Sequence, residues 1–159
     1  MPNRSLLHYV ALLTSALSTG VLFGTWASLG PSVRTFSPRT YVDVQQATVR
    51  NLRPVMGPLL PTAVVSTLAA SALPRGDDRA ATVLQLAGFT GQLAALVLTA
   101  AVELPINARV LTWSPDDPPE GWQRTRDRWA RTHTVRTATS VLGLGASLAA
   151  ALLRSPPSR

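Results

Sequence analysis

The chain has 159 residues, of which 46% are hydrophobic and 14% charged, with a formal charge of +7 and no cysteine. The missing cysteines exclude disulfides, thiolate metal sites and thiol redox chemistry, and the charged fraction is far below the roughly 25% of soluble proteins. A basic chain can bind nucleic acid, but here the arginines separate long apolar segments, which favours a membrane protein.

Four uncharged segments predict four membrane-spanning helices. They cover residues 5–33, 55–73, 80–102 and 137–153. A helix needs roughly 20 apolar residues to cross the hydrocarbon core of a bilayer. The first run is longer than the roughly 7–15 apolar residues of a signal peptide, so it is predicted to be an uncleaved helix. We therefore expect an all-α, integral membrane four-helix bundle, a single transmembrane domain over 1–159 with helices at about 5–30, 54–73, 80–104 and 132–153.

The first long connection contains a helix signal of its own. Ser37 followed by Pro38 is typical of a helix N-cap with proline at the first helical position. The residues after it place Tyr41, Val44 and Leu52 on one face. The segment is predicted to be an amphipathic helix at the membrane interface.

Small residues recur every four positions in three of the predicted helices. Such stripes let helix backbones approach closely in a membrane, so they predict packing faces. The stripes are Ala16, Gly20, Gly24 and Ser28; Ala87, Gly91, Ala95 and Thr99; and Thr139, Gly143, Ser147 and Ala151.

Four crossings place both termini on one side of the membrane and the two long connections on the other. Ten of the fifteen arginines lie on the side of the long connections and five on the side of the termini. The excess of arginine predicts that the long loops are cytoplasmic, in a multi-pass protein of the cell membrane.

Polar residues gather where the third helix ends and the fourth begins. Trp129, His133 and Arg136 share one face at helical spacing, and Glu103 and Asn107 are four residues apart. Both groups lie on the side of the long connections, so they are expected to meet at the rim of the bundle. His8 lies at the other end of the first helix, about a membrane thickness away at ~1.5 Å per residue, which argues against a metal site shared with His133.

Three interpretations of this cluster remain open from the residues alone. Arg136 could pair with Glu103 and only order the helix ends. His133 could act as a general base, since its side chain suits proton transfer near neutral pH. A metal could be held by Glu103 and His133, with Asn107 as a third ligand, although these ligands are few and no HxxxH or HxxE spacing is present. Nucleotide-binding, nucleophile-elbow and zincin motifs are absent from the sequence.

The combination of motifs resembles a known family. The chain has "GVLFGTWASLGPSV" leaving the first helix, "ELPINARVLTW" leaving the third and "RWARTHTVRT" entering the fourth. In this pattern it is similar to the DUF1772 family, small four-helix membrane proteins that include the anthrone oxygenase-like proteins. The resemblance implies oxidation of a hydroxylated polycyclic aromatic, of the anthrone type, by molecular oxygen through an enolate, without a dedicated organic cofactor.

The resemblance also implies roles for the polar residues. His133 would be the base, Glu103 would orient it, and Arg136 or Asn107 would hold the enolate oxygen. The aromatic substrate would stack near Trp26 or Trp129, with Gln46 in the connection that covers the site. The expected partners are a small aromatic molecule and the lipid bilayer, not nucleic acid, and the chain could be a monomer or a homodimer. The alternative is a non-catalytic membrane protein, a small-molecule carrier or a helper subunit, whose polar cluster is structural.

Overall fold

The computed structural model describes residues 2–72 and 79–154. Secondary structure in these residues is helical throughout: α1 (Pro2–Leu29), α2 (Pro38–Ala72), α3 (Arg79–Leu98), a π-helical turn (Thr99–Glu103), α4 (Leu104–Val110) and α5 (Trp122–Arg154). Four stretches have the length and hydropathy of membrane spans: Ser5–Leu29, Pro38–Ala72, Arg79–Val110 and Trp122–Leu153. The predicted all-α fold with four membrane helices is confirmed, and the protein is a multi-pass membrane protein.

The second helix begins much earlier than the sequence suggested. The predicted interfacial segment and the predicted span from about residue 54 form one continuous helix of 35 residues. Ser37 is its N-cap, since the backbone N–H of Thr40 donates to Ser37 Oγ at 3.2 Å. At about 1.5 Å per residue this helix is some 52 Å long. It therefore extends well beyond a hydrocarbon core of about 30 Å, and its N-terminal turns lie on the side of the long connections.

An apolar cluster fixes these N-terminal turns against the start of α5. Tyr41 and Val42 are buried together with Val33 and Trp122. The rings of Tyr41 and Trp122 are stacked, with centroids 5.3 Å apart. Outside this cluster, an ion pair joins Arg39 in the first turn of α2 to Asp116 in the second long connection. The connections are therefore packed structures that set the position of the helix carrying His133.

Helices α3 and α5 pack backbone to backbone through their predicted stripes of small residues. A Cβ on Gly91 would lie 2.6 Å from the carbonyl oxygen of Thr139 and 2.7 Å from the Cα of Gly143. The packing prediction is thus confirmed for these two helices. Within this chain the α1 stripe makes no such contact, because a Cβ on Gly20 or Gly24 would meet no described atom within 4 Å. The α1 stripe is exposed on the outside of the single chain.

A buried polar contact holds α1 to the other two helices. Gln92 of α3 donates to the Ser140 carbonyl at 3.3 Å, and the Ser140 hydroxyl donates to Gln92 Oε1 at 3.2 Å. The hydroxyl of Thr19 in α1 is 2.7 Å from that of Ser140. These side chains satisfy one another in a region where lipid offers no hydrogen bonds. They keep α1 in register with the helices that build the polar cluster.

Candidate functional site

A π-helical turn shapes the end of the third membrane span. Over Thr99–Glu103 the backbone bonds span five residues, and the N–H of Leu104 donates to the Thr99 carbonyl. Pro105 has no N–H, so the usual bond to the Ala101 carbonyl cannot form, and the ladder must change in this region. Turns of this kind are frequent at functional sites. Here the turn presents Thr99 and Glu103 toward α5.

Arg136 of α5 is the centre of the polar cluster. Its Nη1 donates to Thr99 Oγ1 at 2.9 Å, and its Nη2 is 3.0 Å from Glu103 Oε2. Its Nε is 3.0 Å and its Nη2 2.8 Å from His133 Nδ1. All three nitrogens of the guanidinium are therefore engaged, and the side chain is held in one orientation by two helices.

The hydrogen bonds around His133 define its tautomer. An arginine Nε–H can only donate, so Nδ1 of His133 accepts and the neutral ring carries its proton on Nε2. Trp129, one turn earlier, stacks on the ring with a centroid distance of 4.8 Å and an interplanar angle of 5°. His133 Nε2 is buried beside the backbone of Leu22 without a hydrogen bond of good geometry. The lone pair of the ring is thus used to hold Arg136.

Glu103 is the charge that compensates Arg136. Its side chain is 1% exposed, and its Oε1 lies 3.8 Å from His133 Nδ1, beyond hydrogen-bond distance. Arg136 therefore stands between the carboxylate and the imidazole. The family resemblance implies that Glu103 orients His133, and the structure brings each of them to Arg136. A buried carboxylate needs such a partner, because isolated charges are strongly disfavoured in a low-dielectric interior.

The first of two cavities beside the cluster is called the Arg136 cavity here. It has a volume of about 460 Å³, within the usual range for small-molecule sites. Its walls come from α1, α2, the end of the third span and α5, and most of them are apolar. The polar side chains in the lining are those of Thr25, Gln45, Thr48, Arg53, Thr99, Asn107 and Arg136.

The second cavity, the His133 cavity, lies between the end of α1 and α5. It has a volume of about 510 Å³, and its lining includes Trp26, Arg34, Trp129, Arg131 and His133. The Trp26 indole N–H donates to Thr134 Oγ1 at 3.2 Å, which fixes the ring at the edge of this cavity. The cluster thus separates two cavities: Arg136 faces one of them and His133 the other.

The site residues proposed from the sequence are distributed over the two cavities and the polar cluster between them. Arg136 and Asn107 line the Arg136 cavity, while His133, Trp129 and Trp26 line the His133 cavity. Glu103 is enclosed between them. Gln46 lines neither, because its Nε2 donates to the carbonyls of Val110 and Trp113 and so closes the C-terminal end of α4.

Three residues of the Arg136 cavity were not selected from the sequence. Thr99 appeared only as one member of a stripe of small residues, yet it binds Arg136. Gln45, the neighbour of Gln46, donates to Asn107 Oδ1 at 3.1 Å and so fixes which end of that amide faces α2. Arg53 lines the cavity from α2. The spacing 45, 49, 52/53 and 56 along α2 marks this face, but nothing in the sequence shows that a cavity lies beside it.

The contacts of Arg136 with Glu103 and His133 argue against a metal ion held by these two residues. Within 2–72 and 79–154 there is no group of three or more His, Asp or Glu side chains able to hold a metal. Glu103 and His133 are the two candidate ligands, and the guanidinium of Arg136 lies 3.0 Å from one and 2.8 Å from the other. A metal shared by them would have to displace this cation.

Comparison with known proteins agrees with the architecture. A family model described as anthrone oxygenase matches residues 46–146, more than half of the chain, and this range contains Glu103, His133 and Arg136. No match was found among curated proteins or among solved structures. The matched range begins in α2 and ends in α5, so it holds the π-helical turn and most of the Arg136 cavity. The chain belongs to the anthrone oxygenase family, DUF1772.

Proposed function

We propose that this protein is a membrane-embedded oxygenase that oxidises a hydroxylated polycyclic aromatic of the anthrone type with molecular oxygen. The family match supports an oxygenase-like function in general. The observation that carries the proposal further is the Arg136 guanidinium, which is anchored on three sides and reaches a largely apolar cavity of about 460 Å³. A flat aromatic substrate would be held by the apolar walls and would meet one oriented cation.

The chemistry of an anthrone matches such a site. The methylene group opposite its ketone loses a proton to give an enolate, whose negative charge rests largely on the ketone oxygen. A fixed guanidinium at this oxygen stabilises the charge as it develops. The enolate then transfers an electron to oxygen, and the resulting radical and superoxide combine to a peroxide anion at the former methylene carbon. This anion takes a proton back from water to give the hydroperoxide. Loss of water gives the second carbonyl, so that one anthrone and one O₂ become one anthraquinone and one H₂O.

The proposal assigns different roles to the members of the cluster. Arg136 is the catalytic residue, and Asn107 offers a second donor beside it in the same lining. His133 and Glu103 are positioning residues, since their contacts are with Arg136. The family resemblance implies His133 as the base, but its Nδ1 accepts from Arg136 and its ring lines the other cavity. None of the described residues that line the Arg136 cavity is a general base, so in this mechanism the methylene proton leaves to water. An organic cofactor is not required by the scheme.

Filling either cavity with a phenyl ring tests where the substrate binds. Ala108 lines the Arg136 cavity and Ala27 the His133 cavity, and both are exposed alanines within helices. We expect Ala108→Phe to lower kcat/KM for 1,8-dihydroxyanthrone at least about tenfold, and Ala27→Phe to leave it nearly unchanged. Oxygen uptake and quinone absorbance are measured with protein in lipid nanodiscs, against protein-free nanodiscs to correct for autoxidation.

If only Ala27→Phe loses activity, the substrate binds in the His133 cavity, and this contradicts the catalytic role assigned to Arg136. If the wild type takes up no more oxygen than protein-free nanodiscs, the oxygenase proposal fails. A carrier or a helper subunit would then be favoured, and its polar cluster would affect only thermal stability.

We further propose that the protein resides in the cell membrane with its long connections in the cytoplasm. The support is the distribution of arginine, ten on the side of the long connections and five on the other. Because the chain has no cysteine, a single Ser114→Cys substitution provides a clean label site in the second connection. A membrane-impermeant maleimide should label it in inside-out vesicles and not in intact cells, and labelling in intact cells alone would reverse the orientation. A homodimer stays a prediction.

A further inference from the structure

The lining of the Arg136 cavity includes a second arginine that the proposed reaction does not use. Arg53 lines this cavity from α2, whereas Arg136 belongs to α5. Arg136 has its counter-ion in Glu103, but Arg53 has no ion pair within the described ranges, 2–72 and 79–154. Its side chain is exposed, so the residue is not held there by burial.

The charge of the cavity is consequently unbalanced. Among the described residues, the lining contains no Asp or Glu, and its remaining polar side chains are amides and hydroxyls. The walls are largely apolar, but Arg53 is itself exposed, so salt partly screens its attraction for an anion. A cation without a partner at the wall of such a cavity favours a ligand that carries a negative charge over a neutral ligand of the same shape.

We propose that the aromatic substrate carries a carboxylate, which Arg53 binds while Arg136 holds the ketone oxygen. The inference rests on the function proposed above and names the class of its substrate: an anthrone carboxylic acid. The two arginines stand on different helices, so a ligand that contacts both has its acid directed toward α2 and its ketone toward α5. This arrangement also fixes which oxygen of a polyhydroxylated ring system meets Arg136.

Binding of a matched pair of product-like probes tests the inference without any turnover. Anthraquinone-2-carboxylate and anthraquinone-2-carboxamide have nearly the same shape and differ in charge. Titration calorimetry with the full chain in detergent should show about tenfold tighter binding of the carboxylate, which corresponds to about 1.4 kcal/mol. The preference should weaken as the salt concentration rises.

Three variants test whether this preference for the carboxylate depends on Arg53. Arg53→Gln should reduce it to less than about twofold by weakening the carboxylate alone, and Arg53→Lys should keep most of it. Arg109→Gln is the matched control, since Arg109 is an exposed arginine of α4 that lines neither cavity. It should bind both probes as the wild type does.

The inference is overturned if the wild type binds the two probes equally, or if Arg53→Gln weakens both to the same extent, as expected for a residue that only contacts lipid headgroups. It is also overturned if neither probe binds. Its failure differs from failure of the oxygenase proposal. Oxygen uptake with the same KM for acidic and neutral anthrones would reject the carboxylate and retain the oxygenase. A carboxylate preference without oxygen uptake would retain the carboxylate and reject the oxygenase.

Discussion

Replacing Arg136 with glutamine should lower kcat/KM for an anthrone at least about 100-fold, the usual effect of losing one donor to a developing oxyanion. The same change should also destabilise the fold by about 3–5 kcal/mol. The cause is Glu103, whose side chain is 1% exposed and has Arg136 as its cationic partner. Without the guanidinium, this carboxylate is left buried and uncompensated.

A double variant separates the two effects. Glu103→Gln combined with Arg136→Gln removes both charges, so we expect most of the lost stability to return while turnover stays absent. The measurements are kcat/KM and the free energy of unfolding in detergent for the wild type, both single variants and the double variant, which form a double-mutant cycle. Arg128→Gln, an exposed position on α5, controls for loss of an arginine. Turnover in the double variant would show that Arg136 serves only to balance Glu103.

Helical periodicity was sufficient to predict the membrane spans and one face of the site. Uncharged runs about as long as a bilayer core leave few alternatives, and the spacing of Trp129 and His133 places them on one face, where the structure shows them stacked. The same spacing brings Arg136 to the cluster. Each of these features depends on a single helix, so it can be predicted from the residue spacing of that helix.

Features that depend on contacts between helices were not predicted in the same way. Gln45 and Gln46 differ by one position, or about 100° around the helix, and only packing decides that Gln45 reaches Asn107 while Gln46 reaches the end of α4. The π-helical turn follows from Pro105, but its effect on Thr99 and Glu103 depends on where α5 lies. The separation of His133 from the Arg136 cavity likewise follows from hydrogen bonds to Arg136 that no pattern of residues reveals.

The role of His133 can be decided with two substitutions that differ in one hydrogen-bond acceptor. Asparagine places its Oδ1 near the position of the imidazole Nδ1, so His133→Asn can still accept from Arg136, but it is no base. Alanine provides neither function. If His133 positions Arg136, we expect His133→Asn to keep kcat/KM within about tenfold of the wild type and His133→Ala to lose about 100-fold, since a misplacement of about 1 Å is enough for such a loss.

The pH dependence of the rate is an independent test of whether His133 is a positioning residue or a general base. A positioning residue leaves the shape of the pH–rate profile unchanged, so His133→Asn and the wild type should have parallel profiles. A general base contributes one limb of that profile, and general-base catalysis is typically worth 10²–10⁴-fold. If His133→Asn is as inactive as His133→Ala, although both unfold at temperatures close to that of the wild type in detergent, the imidazole itself takes the substrate proton. The substrate would then have to bind where it can reach the ring, on the side of Trp26 and Trp129, and the Ala27→Phe variant would be the one that loses activity.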